Sequence, residues 1–441
     1  MLQTLASLIQ TTADFLFVPV LVVVLFGTGL FLSARLGFVQ VRRIGEALRV
    51  FFARSERGSE GALTPFQAFM TALAATIGTG NIAGVTVGIV LGGPGALFWI
   101  WCYGFVATAI KFTEAVLGMQ FRVVRGDAMA SGPMYYLRDG LHSPGLALTY
   151  AIVAGIAALT TTPFTQTNSI ALVWNTQLGV PLWVSGVTIA LLAWLVIIGG
   201  IRSIGRAAEK LSPLKVGLYL AGGLVVILTF AARIPEVLGL VVREAFSLRA
   251  SAGGSLGVLV AMRYGLARGL YANEAGYGTA AVAYGTARSL HPERQGLNAV
   301  MEVFIVSFVT STITALTVLL TGADRSGQTS TAAVALAFDA ALPGFGGYVV
   351  ALCVFLFGYT TLIGWAYYGE KFLEYWLGRR IVMPYRWAYC LLIPFGAVAK
   401  VDLVWAWGDL MNALQIFPNI VGLVGLSGVA VAAAARLRRQ P

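Results

Sequence analysis

The sequence predicts an all-α polytopic membrane protein, and three observations carry that expectation. Of its 441 residues, 58% are apolar and only 11% are charged, against about 25% charged in an ordinary soluble domain. The mean hydropathy is +0.81, and the apolar residues gather in blocks of about 20, enough helix to cross a hydrocarbon core. The blocks do not alternate in polarity, as a membrane barrel strand would over about 10 residues. Backbone in lipid must satisfy its own hydrogen bonds, so each block is expected to be a helix or a broken helix. A cytosolic enzyme, a disordered chain and a secreted disulfide scaffold are excluded.

Eleven blocks follow in order: 14–35, 65–92, 95–119, 143–175, 181–200, 212–232, 255–288, 296–321, 346–369, 384–400 and 408–435. They are expected to form one integral domain over 1–441 with 11 transmembrane helices. The net charge of +11 is carried between the blocks, where basic residues orient the chain and meet anionic lipid. No basic face with interleaved aromatics grips a backbone, so no nucleic-acid partner is expected. The 32–64 loop holds Arg35, Arg42, Arg43, Arg49, Arg54 and Arg57. With that loop in the cytoplasm, alternation places 23 of the 30 basic residues inside, counting Lys111, Lys215 and Arg386 as helix-end residues. The expected topology is N-terminus outside and C-terminus inside, in a prokaryotic plasma membrane. No basic residue precedes Arg35 and no clear cleavage site follows, so the first block does not read as a cleaved signal peptide.

Cys102, Cys353 and Cys390 lie in apolar blocks without paired spacing, as packed small hydrophobes do. His142 and His291 fall in loops. Neither set suggests a metal centre or a nucleophile–base pair, so no enzyme is expected.

Two blocks depart from the rest. The second contains Ile77-Gly-Thr-Gly-Asn-Ile-Ala-Gly84, and the seventh contains Tyr271-Ala-Asn-Glu-Ala-Gly-Tyr-Gly278. Glycine costs about 1 kcal/mol against alanine inside a helix, so such clusters are places for a helix to unwind. Small-residue packing between helices would account for the glycines. It does not call for an asparagine at each break or for Glu274. The breaks stand five helices apart on segments of opposite direction. They divide the chain into two inverted sets of five, 65–232 and 255–435, with 14–35 as an extra helix. Paired interrupted helices at corresponding positions are a sequence pointer to the binding site of a secondary transporter. The half-helix N-terminus after Gly80 can hold a carboxylate, and released carbonyls can hold a small cation.

The sequence resembles the alanine or glycine:cation symporter family, the sodium:alanine symporters. The matching stretches are Ala72-Leu-Ala-Ala-Thr-Ile-Gly-Thr-Gly-Asn-Ile-Ala-Gly-Val85, Leu91-Gly-Gly-Pro-Gly-Ala-Leu-Phe-Trp99 and Gly132-Pro-Met-Tyr-Tyr136. Arg268-Gly-Leu-Tyr-Ala-Asn-Glu-Ala-Gly276, Gln295-Gly296 and Gly364-Trp-Ala-Tyr-Tyr-Gly-Glu370 continue the match. The resemblance covers roughly 15–435 in order.

It implies a LeuT-type 5+5 inverted repeat with two discontinuous helices, within the amino acid–polyamine–organocation superfamily. It further implies import of small neutral amino acids, coupled to sodium by alternating access, with no organic cofactor. Proton coupling is the alternative, kept open by Glu274. Carried over residue by residue, the substrate contacts would be Thr76, Gly78, Thr79, Gly80, Asn81, Gln166, Tyr271, Asn273 and Trp365. Asn81 could also serve an ion. A small pocket closed by Trp365 would favour alanine, glycine or serine over leucine. The resemblance gives sodium the carbonyls of Ala74, Ile77 and Phe357 and the hydroxyls of Thr360 and Thr361. Sodium is a hard cation that takes oxygen ligands. The sequence departs from the family at Val306, where many members have aspartate, and at Ala272, where many have serine. Thr162-Pro-Phe-Thr165 also differs from the common Gly-Asn-Met-Val.

Three carboxylates fall within apolar blocks. Glu274 lies in the second break and is expected to tie the unwound backbone. Glu302 is expected near a helix end at the headgroups. Glu114 follows Lys111 by three residues, the spacing of a helical ion pair.

Overall fold

Thr64-Pro65 opens the first helix of the central bundle. The Thr64 hydroxyl accepts from the Gln67 amide (3.1 Å), and the Gln67 side chain accepts from the Thr64 amide (3.2 Å). This reciprocal cap, with proline in the first turn, fixes where the helix begins. The helix is Pro65–Thr76. After a break, the chain resumes as Ala83–Gly92, and the two pieces are bent by 62°. The computed structural model describes residues 12, 22–51, 59–125, 128–248 and 257–437. The start of the expected 14–35 helix and Arg54, Arg57, Arg249, Arg438 and Arg439 lie outside the described residues.

The described chain is almost entirely helical. Ala96–Gln120 is one uninterrupted helix. Pro144–Thr160 and Thr162–Leu178 meet at Thr161. Gly200–Thr229 contains Pro213. Pro292–Val303 widens into a π-helical turn over Phe304–Thr310 before Ser311–Thr321. Gly346–Leu377 is 32 residues long, and Val382–Val398 and Val401–Gly425 follow. The 96–120 helix packs on Gly257–Asn273, Thr279–Gly285 and Pro292–Val303. The 346–377 helix packs on both helices of 144–178 and on the 65–76 and 200–229 helices. These two helices form the centre, and Gly364 lets one of them close on its neighbour. A Cβ on Gly364 would lie 2.9 Å from the Ala75 Cβ.

The expected eleven spans in a LeuT-type 5+5 inverted repeat are corrected by this structure. Among the described residues, six helices are long and apolar enough to cross a membrane, or up to eight if each bent pair is one span. Hydropathy counts apolar residues, whereas a span needs continuous helix, and several blocks lack it. The 181–200 block forms Leu182–Ile197, only 16 residues. The 255–288 block is divided into helices of 17 and 7 residues. Two further helices, Ile234–Ala245 and Ser330–Ala341, fall between the expected blocks. The all-α membrane character stands. The count and the two clear sets of five do not.

Candidate functional site

The first break is held open by side chains from other helices. Helical hydrogen bonding stops when the Gly78 amide turns back to the Thr76 carbonyl (3.0 Å). Thr79, Gly80 and Asn81 then form a single 3-10 turn. Gln166 takes over part of the backbone: its Oε1 accepts from the Thr79 amide (3.0 Å) and the Thr79 hydroxyl (2.9 Å). The Asn81 Nδ2 donates to the Thr76 carbonyl (3.1 Å), and the Thr314 hydroxyl donates to the Asn81 carbonyl (2.9 Å). The buried Asn81 Oδ1 has no hydrogen-bond partner among the described residues.

The second break runs from Glu274 to Gly278, with positive φ at Glu274 (55°), Gly276 (101°) and Gly278 (83°). Glu114 closes it. Its Oε1 accepts from the amides of Gly276 (2.9 Å) and Gly278 (3.0 Å) and from the Asn419 side chain (2.9 Å). The expected Lys111–Glu114 pair is therefore not formed. The Lys111 ammonium donates to Glu302 (2.8 Å), which also accepts from the hydroxyls of Thr76 (2.6 Å) and Tyr284 (2.9 Å). Lys111, Lys215 and Glu302 are fully buried, which corrects their expected places at helix ends or headgroups. Asn273 is used within the break. It accepts from the Ala275 amide (3.0 Å) and donates to Ser307 (3.2 Å).

Between the breaks lies a small cavity of about 20 Å³. Thr76, Gly78 and Gly80 line it from the first break, and Tyr271, Glu274 and Tyr277 from the second. Gln166, Thr361 and Trp365 complete it with Ala75, Thr161, Thr162, Thr165 and Asn412. Glu274 is aimed by two donors, the Trp365 indole (2.8 Å) and the Thr279 hydroxyl (3.2 Å). Of the substrate contacts named from sequence, Thr79, Asn81 and Asn273 do not line the cavity. Ala75, Thr161, Thr162, Thr165, Tyr277 and Asn412 line the cavity but are not among the substrate contacts expected from sequence. The threonine run in an otherwise apolar block is a usable signal for Thr161, Thr162 and Thr165, whereas Asn412 is one of several polar residues in Val401–Gly425 and its type does not set it apart.

Beside this cavity, the five residues named for sodium converge. The Ala74 carbonyl accepts from the Thr361 hydroxyl (3.2 Å), and the Thr360 hydroxyl donates to the Phe357 carbonyl (3.1 Å). The Lys215 ammonium also reaches this point. It donates to the carbonyls of Ala74 (3.1 Å) and Ile77 (2.6 Å) and to the Thr360 hydroxyl (2.6 Å). From sequence Lys215 is expected as a helix-end orientation residue, because a lysine a few residues into an apolar block reads that way.

Two interrupted helices meeting at a buried polar cavity within an apolar bundle are the arrangement of a membrane carrier. The chain belongs to the sodium:alanine symporter family, whose model matches residues 2–441. It is 40% identical to the sodium/alanine symporter AgcS of Methanococcus maripaludis, over 96% of this chain and 95% of that protein. It is 32% identical to the probable sodium/glutamine symporter GlnT of Bacillus subtilis, over 100% of this chain and 92% of that one. Among solved structures, MhsT in complex with L-phenylalanine matches with a TM-score of 0.61 at 13% identity. That match covers 87% of this chain and 99% of MhsT, and it concerns the fold alone. Membership makes the chain a multi-pass membrane transporter, not an enzyme, in a family of sodium-coupled amino-acid symporters.

Proposed function

We propose that this chain imports small neutral amino acids, alanine and glycine with serine as a third candidate, by alternating access across a prokaryotic plasma membrane. The observation that carries the reading is the convergence of both helix breaks on one small cavity. A zwitterion suits such a place. Its carboxylate would lie toward the N-terminal turn that starts at Thr79, where the half-helix dipole favours negative charge. Its ammonium would face carbonyls and the Glu274 carboxylate. Trp365, fixed by its bond to Glu274, would limit the side chain to one or two heavy atoms. The family's coupling ion is sodium, and the unpartnered Asn81 Oδ1 is an oxygen suited to it. A second reading, proton coupling, draws on Glu274, a carboxylate in the cavity wall. The N-terminus would face outward and the C-terminus the cytoplasm.

The test is uptake of radiolabelled alanine into proteoliposomes at clamped voltage, first with a sodium gradient and then with a proton gradient. Accumulation under the sodium gradient, competed by glycine and serine but not by leucine, is the expected result. Uptake driven by protons alone would favour the second reading and Glu274. No alanine uptake under either gradient would overturn the substrate assignment.

A further inference from the structure

The end of the 65–76 helix presents carbonyls that its own backbone does not use. In a continuous helix the Gly78 amide would bond the Ala74 carbonyl, but here it turns to Thr76. The last carbonyls of a helix need a donor or a cation, and the helix dipole makes this end negative. Lys215 meets that need. An ammonium has three donors, and all three are used, on Ala74, Ile77 and Thr360. Their 2.6–3.1 Å lengths are those of hydrogen bonds. The Phe357 ring centroid lies 5.4 Å from the same nitrogen, within cation–π range. One turn earlier on the same face of the 200–229 helix, the Ser212 hydroxyl donates to the Met70 carbonyl (3.1 Å). The two contacts set this helix along the 65–76 helix and hold the lysine in register. Among the described residues no carboxylate forms an ion pair with Lys215. Its charge is balanced by carbonyl and hydroxyl dipoles, as the charge of a bound sodium would be.

We propose that the Lys215 ammonium is the resident cation at the oxygens that the family resemblance gives to sodium, so this chain binds no sodium there. A sodium ion would compete for Ala74, Ile77 and Thr360 with a side-chain nitrogen already bonded to all three. Sodium taken up by this chain therefore binds at other oxygens, and Lys215 holds the first break against the 346–377 helix whether or not sodium is present. The proposal requires no change in the charge of the lysine. It rests on the transporter reading only for where an ion is expected.

The test counts radiolabelled sodium bound to the purified full-length protein, in detergent and without amino acid, so a wrong substrate assignment leaves the result intact. Lys215→Met is expected to bind one more sodium ion per chain than the wild type. Adding Thr360→Val to it should return the count to the wild-type number. Lys215→Gln, which keeps a polar group without the charge, serves if the methionine variant does not fold. Equal counts in wild type and a folded Lys215 variant would overturn the proposal. So would a wild-type count that falls by one in Thr360→Val alone, a comparison that needs no lysine variant.

Discussion

Gln166 shows what a single side chain contributes to the site. It accepts from both the amide and the hydroxyl of Thr79, so it replaces a helical partner that the break has removed, and it also lines the cavity. Gln166→Ala would release the turn on which the proposed carboxylate rests. A hydrogen bond is worth a net ~1 kcal/mol, so the apparent KM for alanine should rise roughly fivefold, measured by initial uptake rates. An unaltered KM would remove Gln166 from the pocket. Several residues at this scale were legible in the sequence: Thr76, Gly78, Gly80, Gln166, Tyr271 and Trp365 all line the cavity. Asn273 was read as a contact, yet its side chain is spent on Ala275 and Ser307. A polar residue at a break can serve the ligand or the backbone, and the residue type does not say which.

At the scale of elements, the second break depends on left-handed backbone that favours glycine at Gly276 and Gly278. Gly278 has φ +83°, and a Cβ there would lie 2.3 Å from Pro133 Cγ and 2.6 Å from the Tyr150 hydroxyl oxygen. Gly278→Ala would incur about 1–2 kcal/mol of left-handed strain and a further ~1–3 kcal/mol of overpacking. The variant should melt well below the wild type in detergent and lose uptake. Gly217 lies within the 200–229 helix, and a Cβ there would meet nothing within 4 Å outside its own turn of helix. Gly217→Ala should therefore melt at or slightly above the wild type. Equal melting of both variants would show that the break is not rigid. The positions of both breaks were readable because clustered glycine is a local property. What closes the second break was not, because Glu114 and Asn419 come from distant helices.

Across the whole molecule, one buried network joins the pieces on either side of the breaks. Glu302 accepts from Thr76, at the end of the first half-helix, and from Tyr284, in the short helix after the second break. Lys111 of the central 96–120 helix neutralises it. Removing one partner of a buried ion pair strands the other and costs about 3–5 kcal/mol. Lys111→Met and Glu302→Gln are each expected to be less stable than the double variant, read from thermal melting of the solubilised protein. Additive losses in the double variant would show that the two groups do not compensate each other.

The sequence by itself determined that this chain is a helical membrane protein, where two of its helices break, and the family to which it is similar. Each follows from local composition or from motifs that survive in order. Tertiary structure alone decided how many helices are continuous enough to span, because interruptions such as those at Gly276 and Gly278 end a helix that hydropathy still counts. It also decided the partners of the buried charges. Spacing along one helix favoured Lys111 with Glu114, but the fold gives Lys111 to Glu302 and Glu114 to the backbone of the second break. Lys215 is the clearest case. Its hydrogen-bond partners are two main-chain oxygens at the end of another helix and one threonine hydroxyl, and carbonyl oxygens leave no trace in a sequence because every residue carries one.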